Sequence, residues 1–313
     1  MEQEYKYMVV TSCMTYNHAP YIVDAMNGFA MQETTFHVYY LITDDASTDG
    51  EPEVIKQYLA YHFQTPYRTE ETDDYYLICA VHKTNPNCNF IVFFLKYNHY
   101  SIKKSKLPYQ TEWRDNAKYI ALCEGDDYWI YPKKLQMQVE FLEEHPSHSL
   151  CIHAYRKDLL DNDSTIESID IHKYSEDKEI IPDEDVLNIT GRFNTTAAKV
   201  YRRDAITNYP DWARKAPIGD RPLKLVLFSK GHIGYIDKVM SVYRVGTKSS
   251  WTLRMRNDSN YRIRNINGRL QLALDFDNYT CGKYHSIIKK EIKYLRVRLI
   301  KEYVKKYIVF FRR

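Results

Sequence analysis

Along the first 150 residues, short unbroken apolar runs alternate with segments whose apolar residues recur every three or four positions. Tyr7–Cys13, Val38–Thr43, Tyr75–Val81 and Lys118–Cys123 are rich in β-branched and aromatic residues, and each reads as a buried strand. Tyr21–Met31, opening just after Pro20, and Glu53–Tyr61 have helical character. Lys133–Glu144 puts Leu135, Val139 and Leu142 on one helical face, with Pro146 just past its end. Strands alternating with helices predict an α/β fold on a mainly parallel sheet flanked by helices. Three of the strands stop at polar clusters: Thr15-Tyr16-Asn17, Asp44-Asp45-Ala46-Ser47-Thr48-Asp49-Gly50 and Glu124-Gly125-Asp126-Asp127. In such sheets ligands bind beyond the carboxyl ends of the strands, so the two acidic clusters, about 80 residues apart, can face one crevice.

The second half is mixed. Ser149–Tyr155 and Thr195–Tyr201 read as strands, Asp220–Ser229 as a helix, and Ile233–Ile236 with Val239–Tyr243 as a strand pair. Asp158–Asp185 is polar and reads as loop. From Ser286 onward, Ile288, Ile292, Leu295, Leu299 and Tyr303 recur at helical steps among lysines and arginines. No stretch of about 18 uncharged apolar residues occurs, so no membrane-crossing helix is expected.

Charge changes this picture at one place. The chain has 44 Lys+Arg against 41 Asp+Glu, a net charge of +3, too small for a protein that binds nucleic acid over its whole surface. Residues 283–313 hold 11 basic and 2 acidic residues, a local +9 that leaves −6 on the rest. A basic amphipathic helix of this kind suits an anionic membrane surface, a partner's groove, or packing on the body. The six cysteines show no metal-ligand spacing, and the acidic start Met1-Glu2-Gln3-Glu4-Tyr5 leads straight into a strand, so no secretory leader is expected. The expected location is cytoplasmic, either free or peripheral on the inner face of the cell membrane.

Clustered carboxylates repel one another unless a counter-charge offsets them. In Glu124-Gly125-Asp126-Asp127-Tyr128-Trp129 the natural counter-charge is a hard divalent cation, Mn²⁺ or Mg²⁺, which prefers oxygen ligands and is often shared with substrate phosphates. The alternative is an acidic turn leading into the helix at Lys133. Asp44 and Asp45 can accept hydrogen bonds from a base N–H or a ribose hydroxyl, or they can be ordinary turn residues. Asp220 follows Gly219 at a predicted helix start, where a carboxylate can be a cap, a rigidly held base, or both.

These motifs, in this order, resemble those of a family 2 glycosyltransferase. The strand Val9–Met14 ends in Thr15-Tyr16-Asn17, Ile42-Thr43 in Asp44-Asp45-Ala46-Ser47, and Tyr119–Cys123 in the "DXD"-like Glu124-Gly125-Asp126-Asp127, with Pro132 and Leu135 following. The resemblance covers Tyr7 to about Pro146. It implies a GT-A fold, with a glycosyltransferase domain at 1–245 divided into a nucleotide-binding part near 5–146 and an acceptor part near 147–245. A C-terminal helical region at 246–313 would end in the basic amphipathic helix. It implies that Tyr16 packs on the nucleotide base, that Thr15 and Asn17 also belong to the nucleotide-sugar site, and that Asp45 bonds to the base with Asp44 in support. It implies Asp126 beside ribose or metal, Asp127 on the metal, and Asp220 as catalytic base. Met240-Ser241-Val242-Tyr243-Arg244-Val245-Gly246 with Ser249-Ser250-Trp251 is similar to a segment bordering the active site in many members, which brings in Arg244 and Trp251. The implied partners are a nucleotide-sugar donor, first of all a UDP-sugar, and a glycan or lipid-linked glycan acceptor, as in surface polysaccharide synthesis. Two features depart from the family. No glycine lies between Gly50 and Gly125, and Met14 precedes the Thr-Tyr-Asn motif.

Two rival functions stay open. A sugar-1-phosphate nucleotidylyltransferase would need a Gly-rich basic loop after the first strand, and Thr15–Tyr21 has neither Gly nor Lys. A non-catalytic sugar-nucleotide or glycan-binding module would bind donor and never turn it over.

Overall fold

The computed structural model describes residues 5–161, 165–187, 195–216, 219–247 and 258–311. The first part runs β1 (Tyr7–Thr15), α1 (Ile22–Ala30), β2 (Val38–Asp44), α2 (Glu51–His62), β3 (Arg68–Glu71), β4 (Tyr75–Val81), β5 (Cys88–Leu95), α3 (Leu107–Arg114), β6 (Ala117–Leu122), β7 (Tyr128–Trp129) and α4 (Lys134–Glu144). The second part runs β8 (His148–Asp161), β9 (Thr165–His172), α5 (Asp183–Leu187), β10 (Val200–Arg202), α6 (Asp211–Arg214), α7 (Asp220–Lys230), β11 (His232–Val245), α8 (Ser259–Tyr279) and α9 (His285–Phe311).

The described strands form one sheet in the order β3-β4-β5-β2-β1-β6-β10-β8-β11-β7, with β9 added to β8. Its middle, β5-β2-β1-β6, is parallel. Alternate residues of these strands feed two cores. Val10, Leu41, Ile91 and Ile120 enter one, and Val9, Tyr40, Phe90 and Tyr119 the other. Burial on both faces is why the strands read as apolar runs rather than as alternating patterns. Parallel pairing also brings the carboxyl ends of β1, β2 and β6 to one edge, with Thr15 opposite Asp44.

The second half differs from expectation in three places. The polar stretch after Asp158 is not all loop, because β8 continues to Asp161 and β9 returns antiparallel to it. The strand expected at Thr195–Tyr201 is a 3-10 turn at Thr196–Ala198 followed by the short β10, which bridges β6 and β8. The strand pair expected at 233–243 is the single β11, whose register shifts between Ile236 and Val239 absorb the polar Asp237-Lys238 step that reads as a turn. Of the readings open for the basic C-terminal helix, its first half shows packing on the body: Ile288, Ile292 and Leu295 are buried, the first two in the same core as Leu272 and Phe276 of α8, against which α9 packs.

Candidate active site

The ends of β1 and β2 are locked together by Glu51, the fully buried first residue of α2. Glu51 accepts from the Thr15 hydroxyl, from the His18 backbone N–H at 2.9 Å and from the Ser47 hydroxyl at 2.8 Å. Asn17 sits at φ 57°, a left-handed conformation that asparagine tolerates, and its side chain accepts from the Thr48 N–H at 2.8 Å. Thr15 is thus buried inside the joint, while the Tyr16 ring stands 38% exposed at its mouth. Asp44 is buried beneath them; burial, and then the Glu51 and Asp45 charges, lift its carboxyl to about 7 against the hydrogen bonds from Ser47.

The end of β6 is pressed onto this joint. The Gly125 N–H donates to the Met14 carbonyl at 3.0 Å, and a Cβ at Gly125 would lie 2.1 Å from the Thr15 hydroxyl oxygen. Only glycine lets the chain pass there, and on either side of it Glu124, Asp126 and Asp127 bring one carboxylate oxygen each within 4.8 Å of one another. Burial, then the Asp126 and Glu124 charges, raise the Asp127 carboxyl above the usual range against the Arg244 N–H. Glu124 keeps an exposed edge. The protein packed round the rest of it, then the Asp126 and Asp220 charges, lift it to about 7, with Lys199 opposing. Asp127 Oδ1 accepts the Arg244 N–H at 2.9 Å, whereas its buried Oδ2 has no hydrogen-bond partner among the described residues. Three crowded hard oxygen donors, one with a buried lone-pair atom left over, fit a Mg²⁺ or Mn²⁺ ion.

The second half closes over this cluster. The end of β11 supplies Arg244, whose guanidinium donates to the Asp126 carbonyl at 2.9 Å, pairs with Asp24 and lies 4.3 Å from the Tyr128 ring centre. Thr247 donates to Asp126 Oδ2 at 3.3 Å, and His18 Nε2 lies 3.8 Å from the same oxygen. Lys199 is fully buried next to β6; burial lowers its pKa, and the Asp220 and Glu124 charges oppose that. Asp220 is therefore close enough to Glu124 and Lys199 for its charge to act on both. It is the exposed first residue of α7, and Gly219, not Asp220, occupies the cap position. Trp251, with Ser249 and Ser250, lies outside the described residues.

Asp45 has an unexpected set of partners. Its buried carboxylate accepts the His99 N–H at 2.8 Å and the Tyr100 N–H at 3.1 Å, and pairs with Lys106 Nζ at 2.8 Å. Segment 96–106, within the glycine-free stretch between Gly50 and Gly125, is thus tied down on Asp45. A groove of about 610 Å³ between α2 and β4, lined by Leu59, Phe63, Ile78 and Ala80 among others, includes none of these residues. Sequence reasoning passes over Glu51, His18, Lys106, Lys199 and Thr247. Glu51 alone leaves a local signal, as the acid directly after the Asp49-Gly50 turn.

No family model matches the chain. Uncharacterised proteins of Mycobacterium tuberculosis (Rv1520) and Mycobacterium bovis (Mb1547) are each 31% identical to it over 247 residues, 76% of this chain. The chain spans 59% of the length of these relatives. Among solved structures, TarS of S. aureus (residues 1–349, in complex with UDP-GlcNAc) superposes with a TM-score of 0.55 at 14% identity, over 87% of this chain and 67% of that one. The mannosyltransferase PcManGT of Pyrobaculum calidifontis, in complex with GDP-Man and Mn²⁺, superposes with a TM-score of 0.52 at 14% identity, over 94% of this chain and 73% of that one. The chain has the fold of these glycosyltransferases, a large, mostly parallel sheet flanked by helices and ending in helices.

Proposed function

We propose that the protein is an inverting, divalent-metal-dependent glycosyltransferase of the family 2 type. It would move a sugar from a nucleotide-sugar donor to the hydroxyl of a glycan or lipid-linked glycan. The observation that carries this reading is the meeting of Glu124, Asp126 and Asp127 with the interlocked ends of β1 and β2, beside Asp220. The ligands of the two similar structures, UDP-GlcNAc in one and GDP-Man with Mn²⁺ in the other, support it.

Each residue then has work to do. Tyr16, standing exposed above the locked joint, offers its ring to the nucleotide base. Asp44 and Asp45 lie below. With three donors already on its carboxylate, Asp45 holds segment 96–106 as the wall on the base side, and any base contact it makes is additional to that. Asp126 and Asp127, with Glu124, would hold the cation, which when bound neutralises negative charge growing on the departing diphosphate. Arg244 adds a fixed positive charge beside them. Asp220 takes the proton of the acceptor hydroxyl as its oxygen forms a bond to the anomeric carbon and the bond to the diphosphate oxygen breaks. Attack opposite the leaving group inverts that carbon. Residues near 5–146 serve the donor and those near 147–245 the acceptor.

The test is a panel of UDP-, GDP- and dTDP-sugars with Mn²⁺, followed by release of the nucleoside diphosphate and by thermal shift. Turnover that needs the cation supports the reading. Donor-dependent stabilisation without turnover of any donor in the panel would favour the non-catalytic module instead.

A further inference from the structure

The C-terminal helix carries a second pattern that its buried stripe hides. Residues 283–313 hold only two acids, Glu291 and Glu302, and both are turned into the body. Glu291 accepts twice from the Arg221 guanidinium, at 2.7 and 2.6 Å, and lies 3.7 Å from Arg269. Glu302 accepts from Arg262 at 2.9 Å. The outward face of α9 up to Lys306 therefore carries no carboxylate. Lys289, Lys293, Arg296 and Lys301 are exposed on it. Between them runs a line of exposed apolar side chains at three- and four-residue steps: Val297 at 45% exposure, Ile300 at 63% and Val304 at 50%. Tyr294 and Tyr303, also exposed, flank it.

We propose that this outward face of α9 is a docking surface for an anionic lipid bilayer, with the helix lying flat along it. A bilayer surface matches both halves of the pattern. Its headgroup phosphates meet the lysines and arginine, and the boundary of its acyl region takes the apolar line, while the tyrosines sit at headgroup level. RNA would satisfy only the charges, leaving Val297, Ile300 and Val304 against water or phosphate. The inner stripe is already used in packing, so docking needs no unfolding of the helix. The inference does not depend on the transfer reaction, and it would bring the site to a lipid-linked acceptor.

The test uses the full chain and co-sedimentation with vesicles of phosphatidylcholine, with or without about 30% phosphatidylserine. Binding to the anionic vesicles should be at least about tenfold tighter, and about 0.5 M salt should weaken it. Ile300→Asp should lose about tenfold, and the triple change Lys293→Ser, Arg296→Ser, Lys301→Ser at least as much, with the far-UV spectrum unchanged because all four side chains are exposed. In Ile300→Trp, tryptophan emission should shift to the blue when anionic vesicles are added. Equal binding to both vesicle types, wild-type binding by Ile300→Asp, or an unshifted Ile300→Trp spectrum would each overturn the proposal. So would a ~20-nucleotide RNA that binds more tightly than the vesicles and does not notice Ile300→Asp.

Discussion

The sheet edge that carries Thr15, Asp45 and Asp127 and the helical layer that carries Asp220 are held together by different forces. At the sheet edge the loops are fastened by short-range hydrogen bonds from backbone N–H groups and hydroxyls, with Glu51 serving three donors and Asp45 serving two N–H groups and Lys106. In the helical layer the joints are ion pairs between distant segments, Arg221 with Glu291 and Arg262 with Glu302. Hydrogen-bonded loops fix positions to fractions of an ångström and suit the binding of a metal and a nucleotide. Buried ion pairs fix a helix's place at a cost in desolvation, so removing one member is expected to be severe.

This difference can be broken at several points. The largest effect should come from Asp127→Ala, which removes the buried oxygen left without a partner. Transfer should fall by about 10³-fold or more, and Mn²⁺ should no longer strengthen UDP binding in a calorimeter. Chelating the cation from the wild-type protein should give a loss of similar size. Asp220→Asn should cost about 10²- to 10⁴-fold in turnover, while UDP affinity stays within about twofold, since the amide cannot take the proton but the sheet edge is untouched. In the helical layer, Glu291→Leu should lower stability to urea by about 3–5 kcal/mol, because it takes the buried carboxylate away from the Arg221 guanidinium. The double change Arg221→Leu with Glu291→Leu should cost clearly less. Equal losses from single and double changes would mean that the pair does not hold α9 to α7. Truncation after Gly282 should leave the chain poorly soluble, since it uncovers the partners of Ile288, Ile292 and Leu295.

A smaller, pH-dependent effect belongs to the sheet edge. Asp44 is pushed up to about 7 by burial and by the Glu51 and Asp45 charges. The folded protein therefore keeps a proton on Asp44 that the unfolded chain releases near pH 4. Its contribution is present in full below that pH and is lost as pH rises through about 7, with a slope near 1.4 kcal/mol per pH unit between. Asp44→Asn should flatten this part of the stability curve. Urea titrations of both proteins between about pH 5 and 8 measure it.

The same contrast decides what is legible in the sequence. β1, β2 and β6 announce themselves because both faces are buried and a polar cluster stops each run. β5 is buried along its whole length, yet polar Asn89 and the preceding Asn-Pro-Asn disguise its start. In the fold the Asn89 amide is satisfied by the Val38 and Asn87 carbonyls. β9 is exposed at nearly every residue and gives no burial signal, since pairing with β8 alone holds it. α8 has Asn260, Asn265, Asn267 and Gly268 in its early turns, poor helix formers. It is started by the Asp258 side chain capping the Tyr261 N–H and kept by packing of Ile263, Ile266 and Leu272. For the site, the carboxylates at strand ends can be found by pattern. Lys106, Lys199 and Thr247 cannot, because their meaning comes from neighbours far away in the chain.

The contact between Gly125 and Thr15 has a consequence for anyone who would re-engineer the pocket. Because the Gly125 loop is seated on Thr15 with no room for even a methyl group, neither can be resized without shifting the other. If the protein uses a nucleotide-sugar donor as proposed, a change of donor preference is better sought at the rim, in Tyr16, Tyr100 or Ile102, whose exposed side chains can be exchanged while the carboxylates keep their spacing.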